Sequence, residues 1–290
     1  MRAPEEASRL LDTGYRPYDG ARSGVGGAMG SLLGYSVRRG LGVGRPFGGK
    51  VPIGLVVLIA YLPAIALVGA SVLLGDVVEQ TLEVAVRGYY GLITTAVVAF
   101  AALVVPELFC TDRRTGMLGR YLATPLTRWT YLTAKAGALL VLLAIVSLGP
   151  PLLLVVGLAA TGDDPPALLN TLDVLWRVVV ATPLLALPLA AVGAAASSLT
   201  TRRVVATAVI AVVLLLAGAV AGILTATGSP AAVLLMDVVG VSFEMPSRLL
   251  GGDSPLSPVP LWQLAAAWAG WVVVPTAVVL TTYARVKVSR

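Results

Sequence analysis

The chain has 290 residues, of which 57% are hydrophobic and only 12% charged, and its formal net charge is +6. A soluble domain carries about 25% charged residues, so the composition points to membrane segments. There is no histidine and one cysteine, Cys110, which excludes histidine-ligated haem, zinc–histidine centres, Ser–His catalysis, histidine proton relays and a disulfide within the chain.

Residues 1–50 read as a cytoplasmic N-terminal tail ending in an interfacial helix. Within 24–50, Met29, Leu32, Leu33, Val37 and Leu41 recur at helical spacing beside Arg38 and Arg39. This predicts a short amphipathic helix on the inner membrane surface. The segment ends in GRPFGGKV, Gly44 to Val51, which nearly spells a nucleotide-binding loop. Val51 replaces the hydroxyl that would hold Mg²⁺, and no strand precedes the motif. It reads instead as a flexible hinge with a lysine anchor, so the chain is expected to bind neither ATP nor Mg²⁺ itself. No cleavable signal pattern occurs in this region, so the first span is expected to serve as an uncleaved insertion signal.

Residues 51–290 read as a six-span domain, with spans at about 51–75, 88–110, 134–160, 174–199, 204–226 and 260–283. Each is long enough to cross a bilayer, which takes about 20 apolar residues. Pro63, Pro106, Pro150, Pro151, Pro183, Pro188 and Pro275 are expected to interrupt five of them. Gly218 and Gly222 form a G-x-x-x-G step, expected to pack helices within one subunit. The span centres carry no Asp, Glu, Lys or Arg. That disfavours ion-coupled carriers, voltage sensors and intramembrane aspartyl proteases, all of which need such groups. Eighteen basic residues fall in the N-terminal segment and alternate loops, against Arg87, Arg177 and Arg248 in the others. Basic loops stay inside, so both termini are expected in the cytoplasm and the 160–173 and 227–259 loops outside. Retention beside an anionic inner leaflet accounts for the positive charge without a nucleic-acid partner.

The loop PELFCTDRRTGMLGRYLATPLTRWTYLTAK, Pro106 to Lys135, carries the most information. Glu107 ends the second span. A turn at Thr115–Gly116 leads into an apolar-periodic stretch of Met117, Leu118, Tyr121 and Leu122, Pro125 stops it, and Thr127 can cap the next helix. Leu118 and Leu122, one turn apart, are expected to face outward together on a short helix.

This loop resembles that of permease subunits of type-2, exporter-like ABC transporters. Those have a glutamate near the end of the second span, a Ser/Thr–Gly pair, a leucine-rich stretch, a Pro–x–x–Arg step and a Tyr…Lys pair. Glu107, Thr115, Gly116, Leu118, Leu122, Pro125, Arg128, Tyr131 and Lys135 match in order; Gly119 stands where the family often has an acidic residue. The opening GYRPYDGAR is similar to the tail of such permeases from actinobacteria.

The resemblance implies an all-α polytopic membrane protein with six transmembrane helices, a short cytoplasmic coupling helix and short external or re-entrant helices. The last would lie in 227–259, where Ser229 and Pro230 read as cap and first-turn proline. It implies a plasma-membrane exporter subunit that works with a second permease subunit, the same or a related chain, and with a cytosolic P-loop ATPase holding ATP and Mg²⁺. Glu107, Thr115, Gly116, Met117, Leu118, Tyr121, Leu122, Pro125 and Arg128 would form the ATPase-coupling surface. With no charge at the span centres, an amphipathic or apolar substrate is expected. The competing expectation is a membrane anchor or assembly protein without transport.

Overall fold

The computed structural model describes residues 20, 24–44, 46–74, 89–161, 165–251 and 256–285. The GYRPYDGAR tail, apart from Gly20, lies outside them. So do Arg45 in the nucleotide-loop look-alike and Arg87.

Every regular element among the described residues is helical. In a bilayer the backbone must satisfy its own hydrogen bonds, and helices do so within one segment. The elements are α1 (Gly24–Gly40), α2 (Phe47–Leu74), α3 (Tyr89–Arg114), α4 (Met117–Leu122), α5 (Arg128–Ser147), α6 (Gly149–Thr161), α7 (Pro165–Leu199) and α8 (Arg203–Ala226). A 3-10 helix (Ala231–Met236), α9 (Val238–Leu250) and α10 (Leu261–Arg285) follow. Six are long and apolar enough to cross a membrane: α2, α3, α5, α7, α8 and α10. Three form the interior. The apolar window of α3 is 72% buried and that of α7 67%, against 22% for α2 and α8 and 11% for α10. The core runs through Tyr89, Ile93, Phe100 and Leu108 of α3, Tyr131, Leu139 and Leu142 of α5, and Leu185 and Leu189 of α7.

Most of the expected prolines do not interrupt their spans. Pro63, Pro106, Pro183, Pro188 and Pro275 all lie inside continuous helices. Packed neighbours hold the backbone where a proline lacks its donor. Only Gly149–Pro150–Pro151 coincides with a division, at Leu148, so the third expected span is α5 followed by α6. Both prolines fall in the first turn of α6, where a missing N–H leaves no helical bond unmade. The amides of Leu148 and Leu152 donate to Ala144 O and Leu148 O across the joint. Helical hydrogen bonding thus continues across the joint.

Gly149 also admits a neighbour. A Cβ there would overlap the hydroxyl of Tyr61 from α2, and that hydroxyl donates to Ile145 O at 2.9 Å. Gly149→Ala is expected to expel the Tyr61 ring and lower stability by about 1–3 kcal/mol. Thermal unfolding in detergent checks this, and wild-type melting would remove the contact from the account. Combining it with Tyr61→Ala should cost less than the two changes summed, because they destroy one contact.

Three further expectations change. The stripe on α1 turns to the protein: Leu32 is buried, and Met29, Leu33, Val37 and Leu41 pack on the core against α5 and α3. The look-alike loop is no loop at Gly48–Lys50, which form the first turn of α2 after a tight turn through 41–44. Among the described residues, only one glycine of the G-x-x-x-G step packs against another element of the chain. Gly218 makes room for the Asp237 carboxyl, and a Cβ at Gly222 would meet nothing. The short helices in 227–259 are present, but Ser229 caps neither. Pro230 occupies the N-cap of the 3-10 helix without a side-chain bond, and Asp237 caps α9 by accepting from Val239 N at 2.9 Å.

Candidate functional site

The connection from α3 to α5 lies at one end of the bundle, with the C-terminal half of α1 beside it. α3 ends at Arg114 and the chain turns at Gly116, whose φ of 66° is left-handed. An L-residue with a Cβ pays about 1–2 kcal/mol in that region, which explains glycine there. The Thr115 hydroxyl donates to Thr111 O at 2.8 Å and the Thr124 hydroxyl to Tyr121 O at 2.5 Å. Thr127 caps α5 as expected: its hydroxyl accepts from Thr130 N, and the Thr130 hydroxyl accepts from Thr127 N, a reciprocal capping box.

α4 does not show its leucines to the outside. Leu118 is 7% exposed and belongs to the main core, and Leu122 and Tyr121 are part-buried against it. The apolar spacing was read correctly as one face, but the chain covers that face itself, because turning it inward removes its apolar area from water. What remains outward is polar: Arg120, Thr115, Gly116, Thr124, Pro125 and Arg128 are exposed, and Met117 is half-buried.

Behind α4 lies a group of charges the span-centre reading did not anticipate. Asp112 on α3 is fully buried. Its Oδ1 accepts from Arg39 Nη1 of α1 at 3.1 Å, and its Oδ2 accepts from the Tyr131 hydroxyl at 3.1 Å. The Lys135 ammonium, also fully buried, sits 2.6 Å from the same Oδ2 in a close ion pair that is not aligned as a hydrogen bond. Glu107, 8% exposed in its side chain, meets Arg39 Nε at 3.2 Å and Arg203 Nη1 of α8 at 2.7 Å. Arg39 thus bridges both carboxylates. Partial burial works against its charge, but Asp112 and then Glu107 outweigh this and leave its pKa raised. The rings of Tyr121, Tyr131 and Tyr283 form a chain with centroids 5.8 and 6.0 Å apart. Burial first, and then the Asp112 charge, push the Tyr121 phenol up to about 12. It stays neutral at physiological pH.

The connection is tied to the other spans as well. Arg113 donates to Ser198 O near the end of α7, and Arg128 Nη1 donates to Ala284 O of α10 at 2.7 Å. Of the expected residues, Glu107 therefore joins the ion network, Leu118, Tyr121 and Leu122 join the core, and Thr115, Gly116, Pro125 and Arg128 remain at the surface. Sequence reasoning passed over Asp112 and Arg203 and gave Arg39 no role. The Tyr131–Lys135 spacing of one helical turn is the signal that could have asked for a buried partner on α3.

Residues 76–282, well over half of the chain, match the family model described as ABC-2 family transporter protein. No curated protein matches the chain.

Proposed function

The chain belongs to the ABC-2 family of transporter proteins, a multi-pass plasma-membrane permease without catalysis of its own, and on that premise we propose that it is the membrane half of an ATP-driven exporter. In this reading the α3–α4–α5 end and both termini face the cytoplasm. A separate P-loop ATPase docks on the outward side of α4, and a second permease subunit completes the path. The substrate is amphipathic or apolar.

The observation that carries the reading is the mechanical position of α4. It stands between α3 and α5 and leans on the core through Leu118. Its neighbours reach α1, α7, α8 and α10 through Arg39, Arg113, Arg203 and Arg128. A push on this short helix reaches the inner spans at once. The charges inside α3 and α5 are paired, Glu107 with Arg39 and Arg203 and Asp112 with Arg39 and Lys135, and serve as ties between helices. That arrangement supports a protein partner as the source of force.

The test is purification of the full chain in mild detergent. A P-loop ATPase should co-purify, and the complex should hydrolyse ATP; a chain that purifies without any ATPase would favour the anchor function instead. The isolated chain should not retain an ATP analogue. Micromolar binding lost in Lys50→Ala would overturn that part. In a Cys110→Ser background, Asp164→Cys and Ser254→Cys should react with an impermeant thiol reagent on whole cells, while Thr115→Cys should not. The reverse pattern would invert the orientation.

A further inference from the structure

α5 and α10 both lean on α7 and leave a cleft of about 220 Å³ between them. Its walls are Leu132, Ala136 and Leu140 of α5 with Thr276 and Leu280 of α10, and its floor is small, with Ala190 and Ala194 of α7. The lining is almost wholly apolar, and Ala136 and Thr276 are exposed at its opening. The cleft continues into a second hollow at the α4 end of the bundle, with which it shares Trp129, Leu132 and Leu280. That hollow is bounded by Arg128, Tyr283 and Ala284.

We propose that this slot binds one anionic phospholipid, with an acyl chain between α5 and α10 and the phosphate beside Arg128. Three observations converge. The first is length. From Trp129 to Leu140 the wall of α5 runs about 16 Å at 1.5 Å per residue, close to half of a hydrocarbon core about 30 Å thick. The slot is one leaflet deep and starts from the charged end. The second is the mouth. Trp129 is 63% exposed there, and an amphipathic indole is suited to headgroup level. The third is charge. Arg128 is held at the mouth by its bond to Ala284 O at 2.7 Å, with Arg285 one residue further along α10. Two arginines therefore stand at the mouth, which favours an anionic headgroup there. At about 220 Å³ the cleft is smaller than the roughly 300–1,000 Å³ of small-molecule sites, which suits a single chain lying in an open slot. The site requires only that the chain spans a membrane. It stands whether or not an ATPase partner is found.

The test uses the full chain, purified in mild detergent and stripped of lipid, with native mass spectrometry during stepwise addition of dioleoylphosphatidylglycerol or dioleoylphosphatidylcholine. One phosphatidylglycerol per chain should be retained with about fivefold preference over phosphatidylcholine, the effect expected of one arginine near an anionic headgroup. Arg128→Gln should erase the preference while acyl-chain retention persists. Ala136→Phe and Thr276→Phe, each plugging the slot from a different helix, should lower retention of both lipids about tenfold. A thermal melt confirms that each variant is folded, and either folded variant suffices. Equal retention of the two lipids, or retention unchanged in a folded plugged variant, overturns the proposal. So does disulfide cross-linking of Thr276→Cys, in the Cys110→Ser background, to a second copy, because the slot would then be covered by protein.

Discussion

Asp112→Ala is expected to destabilise the protein by about 3–5 kcal/mol, the usual cost of leaving one partner of a buried ion pair uncompensated. Asp112 and Lys135 are both fully buried and 2.6 Å apart, so removing the carboxylate strands an ammonium with no water to reach. Arg39 loses its bond to Asp112 at the same time, which loosens α1. Against a total of about 5–15 kcal/mol for a typical domain, the loss should appear as a sharp drop in melting temperature in detergent. Replacing the pair together, Asp112→Leu with Lys135→Met, should recover much of it, because an apolar pair of similar volume avoids the desolvation of both charges. An Asp112→Ala protein that melts like the wild type would mean that Lys135 reaches solvent.

The second large effect separates packing from docking on α4. Leu118→Ala removes a side chain that is 7% exposed, and a buried Leu→Ala change costs about 2–5 kcal/mol. Leu122, only part-buried, should cost less. The double variant is therefore expected to melt early. From sequence alone the same change would have looked harmless to the fold, with the leucines facing a partner. Arg120→Glu, on the exposed side, should leave melting within about 0.5 kcal/mol of wild type and, on the proposed docking of an ATPase at α4, weaken its co-purification by reversing a charge there. The two variants are compared by thermal unfolding and pull-down. If Arg120→Glu retains the ATPase fully while Leu118→Ala loses it without melting earlier, the helix is oriented the other way.

The spans were legible because 20 or so apolar residues leave a chain little choice in a bilayer, and each falls on one of the six long helices, though α7 begins nine residues before its expected start of 174, at Pro165. The third resisted because Gly149–Pro150–Pro151 can equally be borne inside a helix, as Pro183 and Pro188 are in α7. Packing decides which, and packing is not local. The same limit hid the ion network. Glu107 was visible as an acid at a span end, but its partners sit on α1 and α8, far off in the chain. Spacing can say that Leu118 and Leu122 share a face, but not which way the face looks. Gly116 and Thr127 were readable because their roles are confined to one turn.

The ion network also sets an order of events during synthesis. Arg39 precedes the two carboxylates it will bind by 68 and 73 positions, so it is already made when α3 emerges. Lys135 follows Asp112 within a single helical hairpin, and these two can enter the bilayer edge neutralised by each other. Arg203 comes roughly a hundred residues after Glu107, which at about 5–20 residues per second is on the order of 5–20 s of translation. Through that interval Glu107 has Arg39 but not Arg203, which arrives only with the fifth span. The nascent chain thus carries an acid that favours the arrival of one particular helix, a form of proofreading built from a single arginine.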